Sequence, residues 1–140
     1  MKKYLIALVA LLVVVTGCGN TKKLTCTMTE DGENAKAVME FDKEDNLTKM
    51  TMTMSQDFEQ ELTSEEVELY QGVMSAACAS YPDEYADCEV KVDKKKMEII
   101  VSYDVAKMTD EQIEEMGIDK TTMSYDEMKK DAEADGFTCK

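Results

Sequence analysis

Lys49-Met50-Thr51-Met52-Thr53-Met54 alternates methionine with polar residues at a period of two. Successive side chains of an extended chain point to opposite faces, so this stretch predicts a strand with a thioether face and a polar face. The same rhythm runs upstream. Leu24, Cys26 and Met28 share one side against Thr25, Thr27 and Thr29, and Ala35, Ala37, Met39 and Phe41 oppose Lys36, Glu40 and Asp42. Asp31-Gly32 supplies a hairpin turn between the first two segments, and Lys43 to Asn46 a polar turn before the third. Three such strands predict an antiparallel meander with one solvated face.

Downstream the period changes. Thr63-Ser64-Glu65-Glu66 matches a capping box, in which the hydroxyl and the later carboxylate satisfy free backbone donors reciprocally. Val67, Tyr70, Met74 and Ala77 then recur at helical spacing, which predicts a helix from about Ser64 to Cys78, ended near Pro82, with these four residues facing the core. Gly72 inside that helix is expected to mark a close approach to the sheet. After the loop Ser80 to Ala86, alternation returns in Cys88, Val90 and Val92 and in Ile99, Val101, Tyr103 and Val105, around a lysine-rich hairpin tip at Asp93 to Lys96. Two further capping boxes, at Thr109 to Gln112 and Ser124 to Glu127, predict C-terminal helices stopped by Gly117 and Gly136, and Phe137 to Lys140 can add a short final strand. The order predicts an α+β fold: an antiparallel sheet of about five to six strands with helices packed on one face.

The first residues carry a separate signal. Lys2 and Lys3 form a basic end and Tyr4 to Val15 an apolar run without an acid, the layout of an export signal peptide. The run is shorter than the roughly 20 residues a bilayer-spanning helix needs. It closes on Val15-Thr16-Gly17-Cys18, which resembles the bacterial lipobox, so residues 1–17 are expected to be removed and Cys18 to carry lipid. Two acyl chains on one residue anchor stably where one is marginal. Gly19 to Lys23 then reads as the rest of a flexible tether over residues 18–23, with a single domain over 24–140.

Charge and composition narrow the function classes. The chain has 16 basic residues, all lysine, against 30 acidic ones, a formal charge of −14. Loss of Lys2 and Lys3 with the leader takes this to −16. Polyphosphate backbones repel such a surface, so nucleic acid is not an expected partner, and an anionic lipid surface repels it too, which leaves the lipid on Cys18 to hold the chain to the bilayer. Histidine, arginine and tryptophan are absent. Without histidine the chain lacks the usual general base and the commonest transition-metal ligand, so no enzyme and no cofactor is expected.

Four cysteines remain beside Cys18: Cys26, Cys78, Cys88 and Cys139. Export into an oxidising space favours a disulfide set, and four thiols allow three pairings. Cys26 and Cys139 lie in extended Thr-Cys segments at the two ends of the domain, where antiparallel neighbours in a non-hydrogen-bonded register bring Cβ atoms to disulfide separation. Cys78 and Cys88 link the helix end to the next strand across the Pro82 turn. The spacing lacks the paired CxxC of a zinc site.

Other candidate sites are weaker. Met50, Met52 and Met54 could offer thioethers to Cu(I), yet a strand spaces consecutive sulfurs about 6.5–7 Å apart on one face, so core packing is the better reading. Glu30-Asp31, Asp42 to Asp45 and Glu111 to Glu115 could gather calcium loosely, but none has the spacing of an EF-hand loop. Tyr70, Tyr81 and Tyr85 could anchor a partner, or cover the helix end and the edge of the core.

With the lipobox, Leu24-Thr25-Cys26-Thr27-Met28, the Lys49 to Met54 strand and the closing Asp135-Gly136-Phe137-Thr138-Cys139-Lys140, the chain resembles the YehR-like family of small bacterial lipoproteins. The resemblance spans most of the mature chain. It implies an exported position and a fold, and supplies no catalytic residues. The expectation is therefore a membrane-anchored, non-catalytic binding or interaction module on the outer face of the bacterial cell membrane, with an envelope protein as partner. A carrier of a small ligand or copper, and an envelope enzyme, are the alternatives. A roomy pocket with polar lining favours a carrier, and an exposed apolar patch favours protein contact.

Overall fold

The computed structural model describes residues 21–119 and 123–140. Strands β1 (Lys22–Glu30), β2 (Glu33–Phe41) and β3 (Leu47–Asp57) form the meander, helix α1 (Ser64–Cys78) follows, and β4 (Ala86–Val92) and β5 (Lys96–Asp104) form a second hairpin. A 3-10 turn (Val105–Lys107), helices α2 (Asp110–Glu115) and α3 (Tyr125–Ala134), and strand β6 (Thr138–Cys139) complete the α+β fold. The six strands make one sheet in the order β4-β5-β3-β2-β1-β6, and every neighbouring pair is antiparallel.

Local chemistry sets the turns. Asp31 and Gly32 both take positive φ (48° and 84°), as a two-residue hairpin with right-handed strand twist requires. In the next turn one Asp42 carboxylate oxygen accepts from the backbone nitrogens of Glu44 and Asn46, each at 2.9 Å. Asp93 repeats the device, accepting from the nitrogens of Lys95 and Lys96 at 2.7 and 2.8 Å. These donors stabilise the anions: the Asn46 backbone bond is the main cause holding the Asp42 carboxyl below its ordinary value, and the Lys95 backbone bond that of Asp93.

Cross-strand register builds one apolar face. Leu24 pairs with Met39, Met39 with Met50 and Met50 with Tyr103. The next row joins Cys139, Cys26, Ala37, Met52, Val101 and Cys88, and a third joins Met28, Ala35, Met54, Ile99 and Val90. An irregularity in the ladder at Glu40/Phe41 sets Phe41 opposite Leu47, and both are buried. The opposite face is polar, with the Thr51 and Ser102 hydroxyls 3.1 Å apart on it. Residues after β5 return over the apolar face: Val105, Met108 and Ile113 join Leu24, Phe41 and Met50 in the core, with Met128 and Ala132 of α3 packed against it. Burial of this cluster at about 25 cal/mol per Å² of apolar surface is the main force holding the C-terminal helices to the sheet.

Helix α1 spans the predicted residues, and its capping box is complete: Thr63 Oγ1 accepts from the Glu66 nitrogen while the Glu66 carboxylate accepts from the Thr63 nitrogen at 2.7 Å. Its inward row differs from the expected one. Val67, Gln71, Met74 and Cys78 are half-buried, whereas Tyr70 and Ala77 are exposed. The helix lies beside β4, the edge strand, and so covers only one narrow stripe of itself. Gln71 fixes that position: its side-chain amide donates to the Val90 carbonyl at 3.2 Å and accepts from the Val92 nitrogen at 3.1 Å, occupying two backbone groups at the end of β4.

The expected close approach at Gly72 is not there. A Cβ built on Gly72 meets nothing within 4 Å, because the residue faces away from the strand that α1 touches. Gly72→Ala should therefore stabilise the protein by about 0.5–1 kcal/mol through backbone entropy alone. A urea titration checks this, and a loss of stability would mean that α1 packs more closely than described.

Candidate functional site

The apolar sheet face is only partly covered. The C-terminal helices close over Leu24, Met39, Phe41 and Met50, and α1 stands at the β4 edge, which leaves a trough on the sheet face beyond the C-terminal helices. One end is a cavity of about 510 Å³ under α3, floored by Cys26, Ala37, Met39, Met50 and Met52. The other, about 390 Å³, is floored by Met28, Ala35, Met54, Met97 and Ile99. Met52 and Met54 are adjacent same-face residues of β3, so the two cavities open beside one another on the same face of the sheet.

This placement corrects the reading of the methionine row as core. Met50 is buried, but Met52 is 37% and Met54 45% exposed. Alternation identifies the shared face and carries no signal for how far along it the covering helices reach. Met28, Met54 and Met97 do border one cavity, yet Met28 and Met54 stand on strands separated by β2, about 9.6 Å apart at the backbone. No group of three or more carboxylate or cysteine side chains suited to a metal ion occurs among the described residues.

The trough is bordered by acids. Glu30 and Glu33 flank its hairpin end, and Asp119, Asp131 and Asp135 its α3 end. Among the described residues, no lysine lines either cavity. The other acidic stretches serve local structure: Asp42 closes a turn, and Glu111 lies in the first turn of α2. The lowered carboxyls, Asp42, Asp93 and Glu66 (the last through its backbone bond from Thr63), are all at turns or caps outside the trough.

The three tyrosines do not form one surface. Tyr85 packs against the core, Tyr81 lies edge-on to Tyr103 at 6.2 Å, and Tyr70 tilts against Phe58 at 5.8 Å. Burial, with the neighbouring Tyr81, raises the Tyr103 hydroxyl above its ordinary value. Tyr81 and Tyr85 thus cover the helix end and core edge, while Tyr70 joins Leu69 and Val73 on the outer side of α1.

Both disulfides occur in the expected pairing, Cys26 with Cys139 and Cys78 with Cys88. Thr25 and Lys140 exchange backbone bonds of 3.0 and 2.9 Å, so Cys26 and Cys139 form the adjacent non-hydrogen-bonded pair, with Cα atoms 4.1 Å apart. The bond clamps β6 to β1 directly beside the larger cavity, where Cys26 is part of the floor. Cys18 lies outside the described residues, and no helix among the described residues is long and apolar enough to cross a membrane.

No family model, curated protein or solved structure matches this chain. The site is therefore read from its own chemistry: a disulfide-clamped floor of thioether and aliphatic groups with a carboxylate rim.

Proposed function

We propose that the chain is a lipid-anchored extracytoplasmic binding module of the bacterial cell envelope, without catalysis of its own, of the kind its YehR-like resemblance implies. The observation that carries this reading is the open trough. A contiguous apolar strip beside a filled core is what protein contact requires, and methionine suits it because the unbranched thioether adapts to a partner's shape. The signal-peptide layout and Val15-Thr16-Gly17-Cys18 support anchoring through Cys18, and the two disulfides suit an oxidising compartment. The carrier reading also has support, because both cavities fall within the roughly 300–1,000 Å³ range of small-ligand sites. Both lie open, side by side on one sheet face, which favours an occupant longer than either cavity.

Two measurements test the proposal. The protein should take up a fatty-acid analogue in a bacterial host, and Cys18→Ser should abolish the labelling and leave uncleaved precursor or released protein. Absence of label on the wild-type chain overturns the anchoring. A photo-crosslinker at position 54 should trap an envelope protein in cells, whereas tight binding of a small envelope ligand with no trapped protein favours the carrier.

A further inference from the structure

We propose that the trough receives a cationic amphipathic helix of a partner protein; this rests on reading the trough as the binding face. Gln71 bonds Val90 and Val92 on the β4 edge and β6 pairs with Cys26 and Thr27 of β1, whereas the exposed methionines stand on the sheet face; recognition that uses them is by side chains, as in helix-in-groove binding. The length fits. From Met52 to Gln56 the uncovered floor runs four residue steps along β3, roughly 13 Å at strand rise, which a helix covers in roughly 9 residues.

Charge selects the occupant. The floor takes an apolar stripe, while Glu30 and Glu33 at one end and Asp131 and Asp135 at the other face whatever flanks that stripe. Lysine or arginine on the helix shoulders would meet these carboxylates, and acids there would be repelled. A second copy of this chain would set acidic rim against acidic rim on molecules of formal charge −14, so self-association across the trough is disfavoured. Anionic lipid is disfavoured on the same ground.

The test uses the full chain, purified from exporting cells with its disulfides intact and held in nanodiscs of zwitterionic lipid. The probe is a synthetic helix of about 14 leucine and lysine residues, leucine on one face, with a diazirine at the centre of that face. A scrambled peptide of the same composition, a leucine–glutamate counterpart and empty nanodiscs are the controls. The cationic helix should crosslink to the Met52–Gln56 segment. Its affinity should fall at least roughly tenfold in M52Q/M54Q, whose altered side chains are already solvent-exposed. In E30Q/E33Q binding should weaken and become less salt-dependent. Preferential crosslinking of the scrambled or glutamate peptide at the trough overturns the cationic helix while keeping the trough as a binding face. Crosslinks confined to the outer side of α1, or unchanged affinity in M52Q/M54Q, overturn both readings. A dimer without peptide that M52Q/M54Q abolishes overturns the proposal in favour of self-association.

Discussion

Replacing Cys26 and Cys139 together with alanine should lower the stability of the domain by up to about 5 kcal/mol, the chain-entropy figure for so long a loop. The two cysteines are 113 residues apart in sequence, so the bond restricts nearly the whole described chain when unfolded. The folded chain offers little to offset its loss, because β6 holds only two residues, paired with Cys26 and Thr27, beyond which only Lys140 extends the ladder to Thr25. A small domain commonly has about 5–15 kcal/mol in total, so the variant should unfold at much lower urea, with a midpoint temperature roughly 20 °C lower. The Cys78–Cys88 bond closes a separation of only 10, and removing both cysteines should cost about 3 kcal/mol. Urea titrations of the two alanine pairs against the oxidised parent decide the order. A larger loss from the short bond would show that the long one clamps a segment already held by packing.

Phe41→Ala should cost about 3–5 kcal/mol, the range for emptying an aromatic site in a core. Phe41 is fully buried and sits where β2 leaves the sheet, opposite Leu47. Its ring meets Tyr125 of α3 edge-on at 5.6 Å, so one side chain joins the meander to the C-terminal helix. Met54→Ala supplies the contrast. That side chain is nearly half exposed on the trough floor, so its loss should cost less than about 1 kcal/mol. Comparable losses at the two positions would mean that the trough is closed in solution, which would remove the proposed binding face. Differential scanning calorimetry of both variants makes the comparison without a ligand.

Most of the architecture is legible because the local signals agree. Alternation places Leu24, Cys26, Met39 and Phe41 on one face, the Asp31-Gly32 turn joins the first two strands, and the Thr63 capping box starts α1 at Ser64. The Cys26–Cys139 pairing is legible because a two-residue period fixes which way each cysteine points. The site is less legible. The face of Met52 follows from alternation, but its exposure depends on where α3 ends above it, a tertiary fact with no local signature. The orientation of α1 fails for a related reason: apolar spacing favours Tyr70 and Ala77, but a helix against a strand edge gains more from a polar side chain that can bond backbone. Gln71, the polar member of the true inward row, is the signal that could have found it.

The amide of Gln71 acts as a one-residue stand-in for a seventh strand. Docking of α1 and pairing of the β4 edge at Val90 and Val92 are consequently a single event, and a helix that lifts away uncovers those two backbone groups at the same moment. The Cys78–Cys88 bond keeps the detached helix beside the edge it must reseal, so lifting remains local and reversible. Reduction removes that leash, and an opened edge is then free to find another chain before its own helix returns. Reducing the short bond should thus raise any tendency of the β4 edge to pair with another chain, independently of how much the bond contributes to the stability of a single folded chain.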